Sequence, residues 1–201
     1  STARATCRRY AAAAAAERHT RLPPSLLSPP LSFLSPLSLP LSVTQNPYLI
    51  ATKSPAAEAY VFDWSKHPSK PKADGTFEPD LVLKGHSKEG YGLAWSPHEE
   101  GHLISGSDDS LICAWDINAA TKTSHVLEPK ATYTGHTSVV EDVAYHLHHA
   151  NLFGSVGDDA KLMIWDLRDS RYDKAKYVVD AHSKEINCLA FNPFSEYIVA
   201  T

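Results

Sequence analysis

The sequence has no CxxC pair, no Asn-x-Ser/Thr sequon and only three cysteines, Cys7, Cys113 and Cys188, scattered over 201 residues. That distribution argues against a disulfide framework and a structural zinc site, and it suits a reducing compartment. Basic charge is also scarce in most of the chain. Residues 1–44 hold five arginines, one acid (Glu17) and no lysine. Residues 45–201 therefore carry 14 basic and 22 acidic side chains, a net of −8 within a chain whose total is −4. An acidic body argues against direct nucleic-acid binding, which depends on neutralising phosphates, and points towards basic partners.

The first 44 residues do not read as a domain. Leu22 to Ser42 consists only of Leu, Pro, Ser and Phe, with six prolines and six serines. Proline removes backbone donors and fixes φ, so neither a helix nor a central strand can run through the stretch. In lipid those prolines would leave carbonyls unpaired, which argues against a membrane span. An Arg-, Ala- and Ser-rich, acid-poor composition has an organelle transit peptide as one reading. A blander one is favoured: all four residue types have codons that can be pyrimidine at the first two positions, as in a translated pyrimidine-rich tract. Residues 1–44 are expected to be a low-complexity segment, disordered or not native, apart from a helical turn around Tyr10 to Arg18.

From Gln45 the texture changes to short β-branched and aromatic runs separated by Gly, Pro, Asp and Ser. The decisive feature is self-similarity. Gly85-His86 is followed 29 residues later by Trp115-Asp116, and Gly135-His136 by Trp165-Asp166 at the same distance. Ser105 and Ser155 each lie 19 residues after their histidine, followed by Asp108-Asp109 and Asp158-Asp159. A third copy opens at Ala181-His182, and a partial earlier copy closes at Phe62-Asp63.

These residues resemble the WD40 repeat family, with its GH dipeptide, Ser-bearing second strand, Asp-containing turn and terminal WD. The resemblance implies an all-β fold: a partial WD40 β-propeller of about three blades out of a presumed seven, at about 45 residues per blade. The division expected is a partial blade over 45–80, blades around 81–130 and 131–180, and a truncated repeat over 181–201.

His86, Ser105, Asp109 and Trp115 could pass for hydrolytic machinery, since Ser, His and Asp suit acyl transfer. The same set recurs as His136, Ser155, Asp159 and Trp165. An active site is needed once and a structural bracket in every blade, so both sets are expected to be buried hydrogen-bond tetrads and the chain no enzyme. No catalytic residue, cofactor, metal or small-molecule substrate is expected. His146, His148 and His149 lack a Cys or acid at ligand spacing and read as a solvated strand end.

Between the repeat signatures the sequence is more specific. Lys66-His67-Pro68-Ser69-Lys70-Pro71, the stretch Gly85 to Leu93, Gly135 to Val143 and Lys161 to Asp166 resemble the histone-binding WD40 proteins of the retinoblastoma-binding, chromatin-assembly-factor type, plant members as much as animal ones. The fifth residue after each histidine is Tyr91, Glu141 and Asn187, and the third is Glu89 or Glu185. Carboxylates, an amide and a phenol at a channel mouth suit an extended Lys- and Arg-rich peptide. The resemblance implies that Asn46, Glu89, Tyr91, Glu141 and Asn187 receive the tail of histone three, and that the partners are core histones and subunits of chromatin assembly, deacetylase and Polycomb-type complexes in the nucleus. The family's grip on histone four uses an amino-terminal helix and a late acidic insertion absent from this sequence, so that contact is expected to be lost in what reads as a fragment. Membrane and direct nucleic-acid partners are not expected. Two alternatives remain. Trp165-Asp166-Leu167-Arg168 fits the WDxR pattern of substrate receptors for cullin–RING ubiquitin ligases, with Arg168 as a candidate adaptor contact, or the chain is a generic WD40 scaffold.

Overall fold

A computed structural model describes residues 46–70, 75, 77–121 and 124–201, together with the strand backbone of Leu41–Ser42. The expectations for residues 1–40, including the helical turn at Tyr10 to Arg18, lie outside the described residues.

Four sheets, antiparallel except for one outer strand of the first, follow one another along the chain, each packed against the next. The first contains β1 (Leu41–Ser42), β2 (Leu49–Lys53), β3 (Ala59–Asp63) and β4 (Leu81–Leu83). The second contains β5 (Leu93–Trp95), β6 (His102–Gly106), β7 (Ile112–Asp116) and, skipping one strand, β9 (Ala131–Tyr133). The skipped strand, β8 (Val126–Leu127), runs parallel to β4 at the outer edge of the first sheet. The third sheet is β10 (Val140–Tyr145), β11 (Leu152–Gly157), β12 (Lys161–Asp166) and β13 (Tyr177–Asp180), and β14 (Ala190–Phe191) pairs with β15 (Val199–Ala200) as a final hairpin. This is a partial β-propeller.

Two features depart from the sequence reading. β1 falls inside the proline-rich run, but it is an edge strand, the one sheet position that such sequence tolerates. The sheets are also offset by one strand from the sequence repeats. β4, β9 and β13 each precede a repeat histidine, yet each closes the sheet of the preceding repeat. The offset links every blade covalently to the next.

Burial explains the composition of the strands. β6 and β7 are buried at consecutive positions, because a middle blade is covered on both faces. Alternation then divides their side chains between two cores. Leu103, Cys113 and Trp115 pack with Ala51, Val61 and Leu83 of the first sheet. Ile104, Ile112 and Ala114 pack with Val140, Tyr145, Phe153 and Trp165 of the third.

The hairpin between the first two strands of each later blade is closed by one repeated device. The residue ten after the repeat histidine accepts two backbone N–H groups. Ser96 Oγ takes those of His98 and Glu99, His146 Nδ1 takes those of His148 and His149, and Asn192 Oδ1 takes those of Phe194 and Ser195. His146 is therefore a buried turn cap rather than part of a solvated strand end. Its Nε2 bonds the Glu196 carbonyl at 3.1 Å, and burial holds its pKa below the usual value.

Candidate functional site

The tetrad residues meet, but the two sets are not identical. In the third sheet Trp165 Nε1–H donates to Ser155 Oγ at 2.8 Å, Ser155 Oγ lies 2.7 Å from His136 Nε2, and His136 Nδ1 lies 2.9 Å from Asp159 Oδ2. A carboxylate only accepts, so Nδ1 carries the proton and Nε2 receives the serine hydroxyl. In the second sheet His86 bonds Ser105 at 2.7 Å, and its contacts with Asp109 lengthen to 3.3 Å. Trp115 does not join. Its indole N–H donates to the Lys84 carbonyl at 3.2 Å. The adjoining glycines differ too. Gly85 sits at φ 152°, a conformation reserved for glycine, whereas Gly135 lies flush on the Trp165 ring, where any Cβ would collide. The four-membered network expected twice is thus complete once, with three members linked in the other copy.

This difference gives a measurable expectation. Trp165→Phe removes a donor from a fully buried hydroxyl, whereas Trp115→Phe frees a carbonyl on the exposed Lys84, which water can satisfy. Trp165→Phe should cost about 1 kcal/mol more, about 3 °C in Tm by thermal unfolding. Equal losses would remove the distinction between the two networks.

Both serines are fully buried, and the side chains of His86 and His136 are at most 1 % exposed, so no substrate reaches either set. Burial lowers the pKa of both histidines against the pull of their aspartates. Burial alone would raise Asp109, but hydrogen bonds from His86 and the Ser87 and Leu111 amides outweigh it, and its carboxyl falls well below the carboxylate range. The buried Cys113 thiol, 3.8 Å from His86, is pushed up to about 12 and is not a nucleophile. Cys188 is disulfide-bonded. One such link falls short of a framework. Among the described residues no three His, Cys, Asp or Glu side chains are placed to hold a metal, and no helix is long and apolar enough to cross a membrane.

The residues singled out for peptide binding are split between the two ends of the blades. Glu89, Tyr91 and Asn187 lie on the segments entering β5 and β14, and Glu141 is the second residue of β10, at the end where the turns after β6 and β11 also emerge. There the Asp108 N–H donates to the Glu89 carbonyl (2.8 Å), the Val140 N–H to the Ser107 carbonyl, and the Ile186 N–H to the Gly157 carbonyl (both 3.1 Å). The first bond ties two loops of the second blade together, and the other two join neighbouring blades. Asn46 is elsewhere. Its side chain donates to Glu100 Oε1 and caps the Tyr48 amide in the turn before β2. That is the opposite end, about 15 Å away along a five-residue strand. The grouping of Asn46 with the other four is corrected: a β-strand carries the chain from one end of the blade to the other. Glu141 is not a solvated rim residue either, being only 3 % exposed.

The structure adds residues that the sequence reading treated only as turn formers. Asp108 and Asp158 stand beside the loops bearing Glu89 and Glu141, each 22 residues after a repeat histidine, a spacing that could have flagged them. Lys53 carried no such signal. It leaves β2 for the second blade and donates from Nζ to the Gly106 carbonyl at 2.6 Å, with only 1 % of the residue exposed. Burial lowers its pKa to about 8, although Asp109 and Asp108 pull it upward. Arg168 lies on the outer side of the third sheet, its exposed guanidinium held by Asp166 through Nε (2.9 Å) and Nη2 (2.7 Å).

Comparison with known proteins agrees with this architecture. A family described as WD domain, G-beta repeat matches residues 77–116, 127–166 and 173–201. A solved structure described as "Crystal Structure of Mitotic Checkpoint Complex" superposes with a TM-score of 0.61 at 19% sequence identity, covering 80% of this chain. The chain spans 42% of that one. At this identity the likeness is one of fold.

Proposed function

Because the chain belongs to the WD40 repeat family, whose domains are typically non-enzymatic scaffolds for protein interaction, we propose that it is a histone-binding adaptor that docks the basic tail of histone three on the acidic loop end of its blades. The observation that carries this reading is the gathering of Glu89, Asp108, Asp158 and Glu185 on the loops of that one end, with Glu141 buried behind them at the start of β10, against Lys88 and Lys184. Such a surface attracts Lys- and Arg-rich segments and offers them charge-assisted hydrogen bonds. Tyr91 and Asn187 extend it with a phenol and an amide. The resemblance of the inter-repeat segments to histone-binding WD40 proteins of chromatin assembly, deacetylase and Polycomb-type complexes supports the same reading and implies a nuclear setting.

Glu89→Gln keeps the shape of an exposed side chain and removes its charge. It should weaken binding of a synthetic histone-three tail peptide about tenfold, as one charge-assisted bond is lost, and leave Tm unchanged. Unaltered affinity by fluorescence anisotropy would reject Glu89 as a contact. A second reading, a ligase-adaptor contact through Arg168, is favoured by its exposed and pinned guanidinium. Arg168→Ala should then abolish capture of the adaptor in a pull-down and leave histone binding intact.

A further inference from the structure

We propose that His146 is an acid-operated latch between the third sheet and the β14–β15 hairpin, and that a proton on its Nδ1 opens the turn between β10 and β11 and frees the hairpin at that end. Three equivalent turns cap their amides with Ser96, His146 and Asn192, and of these only His146 can titrate. Its bonds fix where its hydrogen sits. Nδ1 accepts the His148 and His149 N–H groups, both at 3.1 Å, so it keeps its lone pair. Nε2 therefore carries the hydrogen that reaches the Glu196 carbonyl at 3.1 Å. An imidazolium has no lone pair at either nitrogen. A second proton would face two amide hydrogens at a residue only 6 % exposed, so the ring must leave its seat to accept one.

The surroundings do not compensate a second charge. His148 and His149 of the same turn lie 6.1 and 4.7 Å away, ring to ring, and charge on either repels another. The hairpin contributes the Phe191 ring at 4.8 Å and Glu196, whose carboxylate is taken by His149 Nε2 at 2.8 Å and by Tyr197. From the turn after β5, His98 Nε2 donates to the His146 carbonyl at 3.0 Å, and the neighbouring Glu99 is engaged by His102 at 3.1 Å. At the opposite end the junction has bonds that a histidine proton leaves alone. There the Leu189 N–H donates to Asp142 Oδ2 at 3.0 Å and the Ile186 N–H to the Gly157 carbonyl at 3.1 Å. The junction thus opens at the turn end and holds at the loop end. A ring turned out to water takes its proton at the ordinary 6.5, whereas burial holds the seated ring below that. The latch is shut above about 6.5 and released as pH falls through the seated value.

Amide exchange in the full chain at about pH 7 and about pH 5, corrected for the intrinsic rate, tests this. If the seated ring refuses the proton, the open turn becomes about 20-fold more populated at the lower pH, read at the His148 and His149 amides. His146→Asn copies the Asn192 cap and should keep the turn shut at both pH values, whereas His149→Gln should retain the response. The amides of β11 report the His136 network and should respond to acid in all three proteins, which separates the latch from general loosening. A wild-type turn that exchanges alike at both pH values, or an Asn variant with the full acid response, would overturn the proposal. Should that variant not fold, imidazole nitrogen NMR of the wild type decides: a hydrogen on Nδ1 at neutral pH, or one gained without loss of amide protection, is equally fatal.

Discussion

Replacing His136 by alanine should lower stability by about 3 kcal/mol, or about 10 °C in Tm, the larger of the two histidine effects. The imidazole is the middle of a continuous chain from indole to hydroxyl to ring to carboxylate. Removing it leaves Ser155 with only the indole and strips Asp159 of its shortest partner, leaving the Thr137 and Lys161 amides. Asp159 has a side chain only 4% exposed, so water cannot replace the loss. His86→Ala should cost about half as much, since its contacts with Asp109 are already long and Asp109 keeps the Ser87 and Leu111 amides. Thermal unfolding of the two variants at neutral pH reads both values, and a greater loss at His86 would contradict the ranking. Acid should mimic the effect. Burial holds both rings below the ordinary histidine pKa of 6.5, so the unfolded chain takes up protons first. Their contribution is complete above about 6.5 and is lost as pH falls towards the folded value.

Lys53→Met should stabilise the protein at pH 7, by about 2 kcal/mol, and have almost no effect at pH 10. The ammonium is taken out of water between two blades, and its pKa falls from 10.5 to about 8. The unfolded chain therefore holds that proton more tightly across the whole interval between those values. The penalty to folding is fully present below about 8, about 3 kcal/mol, and fades as pH rises towards 10.5. Methionine keeps most of the buried stem and removes the charge, while the lost bond to the Gly106 carbonyl offsets about 1 kcal/mol. Replacing buried charge by apolar volume is often neutral or favourable in this way. Chemical unfolding of wild type and variant at the two pH values measures the difference directly. A variant that is less stable at pH 7 would show that Lys53 clamps the first two blades together.

Much of this molecule was determined by sequence alone. The fixed distances from His86 and His136 to a serine, an aspartate and a tryptophan disclose the blade before any coordinate, because each blade needs the same bracket and so repeats the same spacing. The acidic character of the body is likewise a count of charges. Strand-end placement was not legible to the same degree. Asn46 and Glu89 look alike as polar residues near a strand, and only the direction in which β2 and β5 run places them at opposite ends. Trp115 and Trp165 occupy equivalent positions, yet the backbone at Gly85 and the Lys84 carbonyl beside it give the first indole a different acceptor. Lys53 reads as a surface charge in a short strand, and it becomes a buried link because the second blade closes over it. Period and charge are properties of the chain, whereas partner and burial are set by which blade packs on which, and that only the tertiary structure decides.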